Sequence, residues 1–427
     1  MTITVIIIIC ILLLLGYLFD LTSAHTKIPS VILLLILGWS ARQIADFISF
    51  KIPDLSGLLP IFGTLGLILI VLEGALELEL NKSKFRLIRK SFFSAFVSMF
   101  ALSLLIAYAF HHFGGIPMRE ALINAAPICV ISSSVAISSA RNLSKKNKEF
   151  VIYESSLSDI LGVVFFNFVV QNDYVSGQAF VHFGMQVLII CVVSFIATLG
   201  LSFLLRKIDH PIKHAPIIIL IILIYAVSEI YHLPALLFIL FFGLFLGNID
   251  ELKNFDWIKK LNPYEFNKEV AKFREIVMEG AFLIRAFFFT LFGYSFETKE
   301  IINPDTIVSA LLIFAAIFII RAIILKIARL PVFPLLFVAP RGLITILLFF
   351  AIPASLSFPL VNKSLVIQVI ILTALFMMIG LMITGRKKDD EPTVKKETDL
   401  DAATLTELVN NTDTNDPFGQ DANQLER

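Results

Sequence analysis

The sequence predicts an all-α polytopic membrane protein, and three observations carry that prediction. Hydrophobic residues make up 57% of the 427-residue chain and charged residues only 16%, where a soluble domain carries about 25% charge. The apolar residues gather into runs long enough to cross about 30 Å of hydrocarbon as helices. Lys and Arg gather in every second loop between those runs. Mean hydropathy is +0.87. A net charge of +1 points to no polyanionic partner, so no nucleic acid is expected.

The first run, "MTITVIIIICILLLLGYLF", lacks a basic leader region and a small-residue cleavage site, so it reads as a retained first helix. Cys10 follows no lipoprotein processing pattern. In order, the predicted spans are 3–19, 28–47, 56–79, 89–110, 119–140, 149–171, 179–205, 215–230, 234–248, 277–296, 305–328, 332–355 and 364–385, thirteen in all. Cys10, Cys129 and Cys191 all lie in apolar runs, with neither a disulfide framework nor metal-ligand spacing. The seven histidines fall at segment ends.

Positive charge orients the spans. With the N-terminus outside, the cytoplasmic loops hold 24 Lys and Arg, and the outer loops hold four, or five with Arg42. The longest loop, 249–276, contains "NFDWIKKLNPYEFNKEVAKF" and reads as an amphipathic segment lying on the cytoplasmic face. Residues 1–385 form the transmembrane domain. Composition changes at residue 386, and residues 389–427 carry eleven Asp and Glu against three Lys and Arg. That is the signature of a disordered cytoplasmic tail.

Once the loops are removed, the ionisable residues left inside the spans are Glu73, Glu154, Asp159, Arg285, Arg321 and Arg341. Such residues at membrane depth are costly and mark function. Arg321 and Arg285 lie about two turns from predicted cytoplasmic ends, where long side chains snorkel to the surface. In "LILIVLEGALELEL", Glu73 lies deeper than Glu77 and Glu79. Glu154 and Asp159, in "FVIYESSLSDILGVVFFNFVV", are five residues apart and so about 140° apart on a helix. They cannot easily share a ligand. Ser155 and Asp159 are four apart and face the same way, which offers a carboxylate with hydroxyls to a hard monovalent cation.

Glu154 then needs a cation of its own, and Arg341 in "VAPRGLITILLFFAIP" is the candidate. Pro340 removes a backbone donor there and Gly342 loosens the helix, so the twelfth span breaks near its middle. "AAPICVISSSVAISSARN", with Pro127 and the Ser132-Ser133-Ser134 triplet, is a matching irregularity in the fifth span. Interrupted helices in corresponding halves point to a transporter's midplane site. Six spans, a linking span and six more would make the fifth and twelfth inverted counterparts that cross at the midplane.

These residues resemble the monovalent cation:proton antiporters, in particular the sodium/proton exchanger branch. That family's sixth helix typically reads Glu-Ser-x-x-Asn-Asp. "ESSLSD" supplies Glu154, Ser155 and Asp159, with Ser158 in the Asn position. Glu73-Gly74 in "LEGALEL", Arg341-Gly342, and "FFFTLFGYSF" resemble the family's third, twelfth and tenth helices. The fifth helix departs, because Ser132-Ser133-Ser134 stands where the family usually has Thr-Asp-Pro.

The resemblance implies exchange of protons for monovalent cations by a multi-pass protein of the plasma (bacterial inner) membrane, acting in pH homeostasis. No cofactor and no enzyme activity are implied, and a homodimer is. Asp159 would carry either a proton or the cation, Na⁺ or alternatively Li⁺ or K⁺. Ser155, Glu73, Ser132 and Ser133 would complete the cation site, and Glu154 with Arg341 would form a structural ion pair. A single carrier carboxylate implies electroneutral one-for-one exchange. The alternatives are a K⁺/H⁺ antiporter of the same fold and a channel-like or regulatory membrane protein without transport. No repeated filter residues or pore-loop sequence favour the channel.

Overall fold

A computed structural model describes residues 2–26, 28–48, 57–78, 82–140, 143–173, 177–207, 214–231, 233–249 and 263–384. The predicted acidic tail and residues 250–262 of the long loop lie outside the described residues. Among the described residues the structure is all-helical. The helices are α1 (Thr2–Thr26), α2 (Ser30–Phe47), α3 (Leu58–Glu77), α4 (Phe85–Gly114), α5 (Met118–Cys129), α6 (Ser133–Ser139), α7 (Lys145–Gln171) and α8 (Gly177–Lys207). They continue as α9 (His214–Ile230), α10 (Ala235–Gly247), α11 (Pro263–Tyr294), α12 (Thr298–Ile301), α13 (Pro304–Ile327), α14 (Leu343–Phe350) and α15 (Lys363–Thr384). Among the described residues eight stretches are long and apolar enough to cross a membrane, with the interrupted 118–139 segment counted as one.

Local chemistry explains the ends. α4 stops at Gly115, whose φ of +67° is the left-handed conformation that glycine adopts freely, and its N–H donates to the His111 carbonyl. α13 starts where Asn303 accepts the Asp305 N–H and Pro304 occupies a first-turn position that needs no donor. α11 differs from the sequence expectation. It begins at Pro263, well before residue 277, so residues 263–276 continue the membrane helix and are not a separate surface segment. Charged side chains at that end do not interrupt the backbone hydrogen-bond ladder.

The helices pack in two groups. α2 and α3 lie along α11, and α3 and α8 lie along α10. Gly38 and Gly293 let the α2 and α11 backbones approach so closely that a Cβ at Gly38 would lie 2.0 Å from the Thr290 carbonyl oxygen. The second group holds α4 against α5, α7 and α13, and α13 against α15. α7, at its centre, also touches α3 and α14.

Two interruptions face each other inside the second group. Val130, Ile131 and Ser132 separate α5 from α6. On the other side, Leu330–Gly342 lies between α13 and α14 without regular α-helix, in a stretch that contains Pro331, Pro334 and Pro340. Proline supplies no N–H and clashes with the preceding turn. The break predicted at Pro340–Gly342 is present, and the helical part of that span is the short α14.

Candidate functional site

Backbone groups at a helix break cannot be left unpaired in lipid, and the side chains here pair them one by one. The carbonyls of Ile128 and Cys129, at the end of α5, accept from Arg341 Nε at 2.6 Å and Nη2 at 3.4 Å. Arg341 Nη1 donates to the Ala339 carbonyl at 2.8 Å, within its own break. The Ile131 N–H donates to Ser158 Oγ at 2.9 Å. The Ser132 N–H donates to the Pro340 carbonyl at 3.0 Å, which joins the two breaks directly. The Arg341 N–H donates to Thr373 Oγ1 at 3.1 Å.

Asp159 lies against the start of α6. Its Oδ2 accepts the Ser133 N–H at 3.2 Å and also the Ser133 hydroxyl. Its Oδ1 is buried and has no hydrogen-bond partner. The carboxylate is 2% exposed. Ser132 Oγ and Ser134 Oγ, on either side of Ser133 in the chain, lie 2.9 Å apart. Two close approaches hold this centre together. A Cβ at Gly162 would lie 2.2 Å from Val130 Cγ2, and one at Gly342 would lie 2.9 Å from Ser132 Oγ.

Glu154 is equally buried, but it is saturated. Arg321 grips both carboxylate oxygens, Nη1 to Oε1 at 3.1 Å and Nη2 to Oε2 at 2.9 Å. Ser94 Oγ donates to Oε1 at 2.6 Å, and Arg321 Nε donates to the Leu335 carbonyl at 2.8 Å. This corrects the expected pairing of Glu154 with Arg341. Arg341 is occupied by the orphan carbonyls of a helix C-terminus, where a cation is favoured. Arg321 does not snorkel. Its planar fork matches the carboxylate with two parallel bonds.

Glu73 is placed differently from a member of the Asp159 cluster. It ion-pairs with Arg285 across α3 and α11 at 3.2 Å, and Arg285 Nη1 reaches the Ser134 carbonyl at 3.5 Å. Ser155 is buried, but its hydroxyl donates to the Val151 carbonyl of its own helix at 2.7 Å. Of the expected set, the structure therefore brings Asp159 and Ser133 into direct contact. Ser132 precedes Ser133 in the chain, and Ser155 lies one helical turn from Asp159 on α7.

Residues 7–385 match the family described as "Sodium/hydrogen exchanger, transmembrane". The chain belongs to the sodium/hydrogen exchanger family. Two solved structures of MjNhaP1, a sodium proton antiporter from Methanocaldococcus jannaschii, share the fold. One, at 16% identity and a TM-score of 0.65, covers 90% of this chain and 99% of that one. The other, at 18% identity and the same TM-score, covers 90% and 96%. Among curated proteins none matches at the sequence level. Membership makes this exchanger a multi-pass integral membrane transporter of cations and protons, not an enzyme, and one that needs no cofactor.

Sequence reasoning missed Arg321, Ser94, Ser158 and Thr373 as working parts of the exchanger's centre. Arg321 carried a signal as one of three arginines inside apolar spans, and Ser158 as the residue in the family's Asn position. Choosing between two arginines requires knowing which helix faces α7, and spacing along the chain does not encode that.

Proposed function

We propose that the protein exchanges protons for Na⁺, one for one, by competition at Asp159. One observation carries this reading. Of the three acidic side chains set deep in the spans, Glu154 is paired with Arg321 and Glu73 with Arg285. Asp159 has no basic partner among the described residues, and one of its oxygens is unpaired. A buried carboxylate without a resident cation needs a mobile one, and a proton or a metal ion fills that need. They exclude each other because both neutralise the same charge.

Ser133 and Ser132 supply hydroxyl oxygens at the break, which suits a small hard cation. Ser155 joins the cation shell if its hydroxyl turns from the Val151 carbonyl. The two breaks cross near the midplane of thirteen spans, with the N-terminus outside and the C-terminus cytoplasmic. The protein works as a homodimer in a bacterial inner membrane, and the α4–α7 group moves against the α3–α11 group to expose Asp159 to each side in turn.

The test is counterflow in proteoliposomes that carry an imposed pH gradient, with Na⁺, Li⁺ and K⁺ supplied in turn. Wild type dissipates the gradient with Na⁺, and Asp159→Asn does not, while its thermal unfolding stays cooperative. Near wild-type exchange by Asp159→Asn removes Asp159 as the carrier. Exchange with K⁺ alone assigns the K⁺/H⁺ reading.

A further inference from the structure

Between α4, α7, α13 and the two breaks lies a cavity of about 10 Å³. Ser98 and Met99 of α4, Cys129 at the end of α5, Ser158 of α7, Arg321 of α13 and Arg341 of the second break all line it. We infer that this cavity is a binding site for one ordered water, which ties the Glu154–Arg321 ion pair to the first break through Ser158.

The space suits that ligand, since a water needs about 10–15 Å³ and two to four polar partners. The partners are present. Ser98 Oγ is buried and has no hydrogen-bond partner. Ser158 Oγ accepts the Ile131 N–H, which leaves its own proton and a second lone pair free. Each guanidinium has five N–H donors. Three on Arg321 and three on Arg341 are engaged, so two remain on each. A ligand here must accept from guanidinium N–H groups and also meet serine hydroxyls. A metal cation is repelled by two arginines. Water accepts two hydrogen bonds and donates two, which matches the donors and acceptors on the walls.

The consequence is mechanical. Ser158 holds the Ile131 N–H and adjoins Asp159 in the chain. A water shared by Ser98, Ser158 and the arginines therefore connects α4 and α13 to the peptide that shapes the carrier site.

Hydroxyl-radical footprinting of the full-length protein in liposomes tests this directly, because X-ray radiolysis activates bound water beside the residue that it oxidises. Met99 and Cys129 line the cavity, whereas Met377 is just as buried but does not. The expected result is oxidation of Met99 and Cys129 well above that of Met377. In Ser98→Val, which fills the space and removes the hydroxyl, that oxidation falls to the Met377 level. Equal rates for Met99 and Met377 in wild type overturn the inference, as does unchanged labelling in a folded Ser98→Val. Should Ser98→Val not fold, the wild-type ratio of Met99 to Met377 still decides. Labelling of Met99 and Cys129 that rises above the Met377 level only when chloride is replaced by gluconate assigns the site to an anion and also overturns it.

Discussion

Glu154 and Arg321, 167 positions apart in the chain, meet as a two-pronged pair at 2.9 and 3.1 Å in the middle of the exchanger, with both side chains almost fully buried. Ser94 adds a third bond to the carboxylate. The pair holds α7 to α13, while Asp159, five residues along α7, has no basic partner among the described residues and one unpaired oxygen.

The pair should behave as a unit. Removing one partner leaves a lone buried charge, worth about 3–5 kcal/mol of destabilisation. Glu154→Gln with Arg321→Gln should therefore lower thermal stability by much less than the sum of the single changes. The corresponding cycle of Glu154 with Arg341 should show weaker coupling, because Arg341 bonds backbone carbonyls. Additive behaviour in the Arg321 cycle would contradict the geometry.

Ser133→Ala removes the hydroxyl donated to Asp159 and keeps the backbone N–H. A hydrogen bond to a charged group contributes about 1.5–3 kcal/mol. The cation concentration for half-maximal exchange should rise about tenfold or more at fixed pH, with the protein still folded. Unchanged half-saturation would place the cation away from Ser133.

Gly162→Ala puts a methyl 2.2 Å from Val130 Cγ2. Overpacking of this kind destabilises by about 1–3 kcal/mol, and here the strain falls on the first break. Exchange and melting temperature should both fall, and Val130→Ala in the same chain should restore much of each. If the second change brings no rescue, the contact between α7 and the break is not what limits the variant.

Exchange should ignore the membrane potential. One carboxylate that alternates between a proton and a monovalent cation moves no net charge, whereas a charged cycle would feel about 2.3 kcal/mol per charge per 100 mV. Glu73 has Arg285 as a resident partner, so it should contribute no second proton. Proteoliposomes clamped at zero or at a large inside-negative potential should reach the same end-point, and Glu73→Gln should leave that end-point unchanged. A potential-dependent end-point that Glu73→Gln abolishes would make Glu73 a second carrier.

The sequence by itself determined the all-helical membrane class, the identity of the buried charges and the positions of both helix breaks. These are local properties. A run of apolar residues, a proline without an N–H and a carboxylate inside a lipid-length segment carry their physical consequences wherever the segment lies. Asp159 was legible as a buried carboxylate for the same reason, whereas its contact is with Ser133, 26 positions away in the chain.

Tertiary structure alone decided which charges meet. Arg341 looked like the partner of Glu154 because it sits in a break, yet the end of α5 presents unpaired carbonyls to it, while α13 packs on α4 and carries Arg321 to Glu154. Glu73 drew attention as a buried carboxylate, and α11 brings Arg285 beside it. Ion pairing depends on distance in space, and helix packing sets that distance by matching side-chain shapes along whole faces. Residue type along the chain shows that a buried charge needs a partner, but only the packed helices show which one it has.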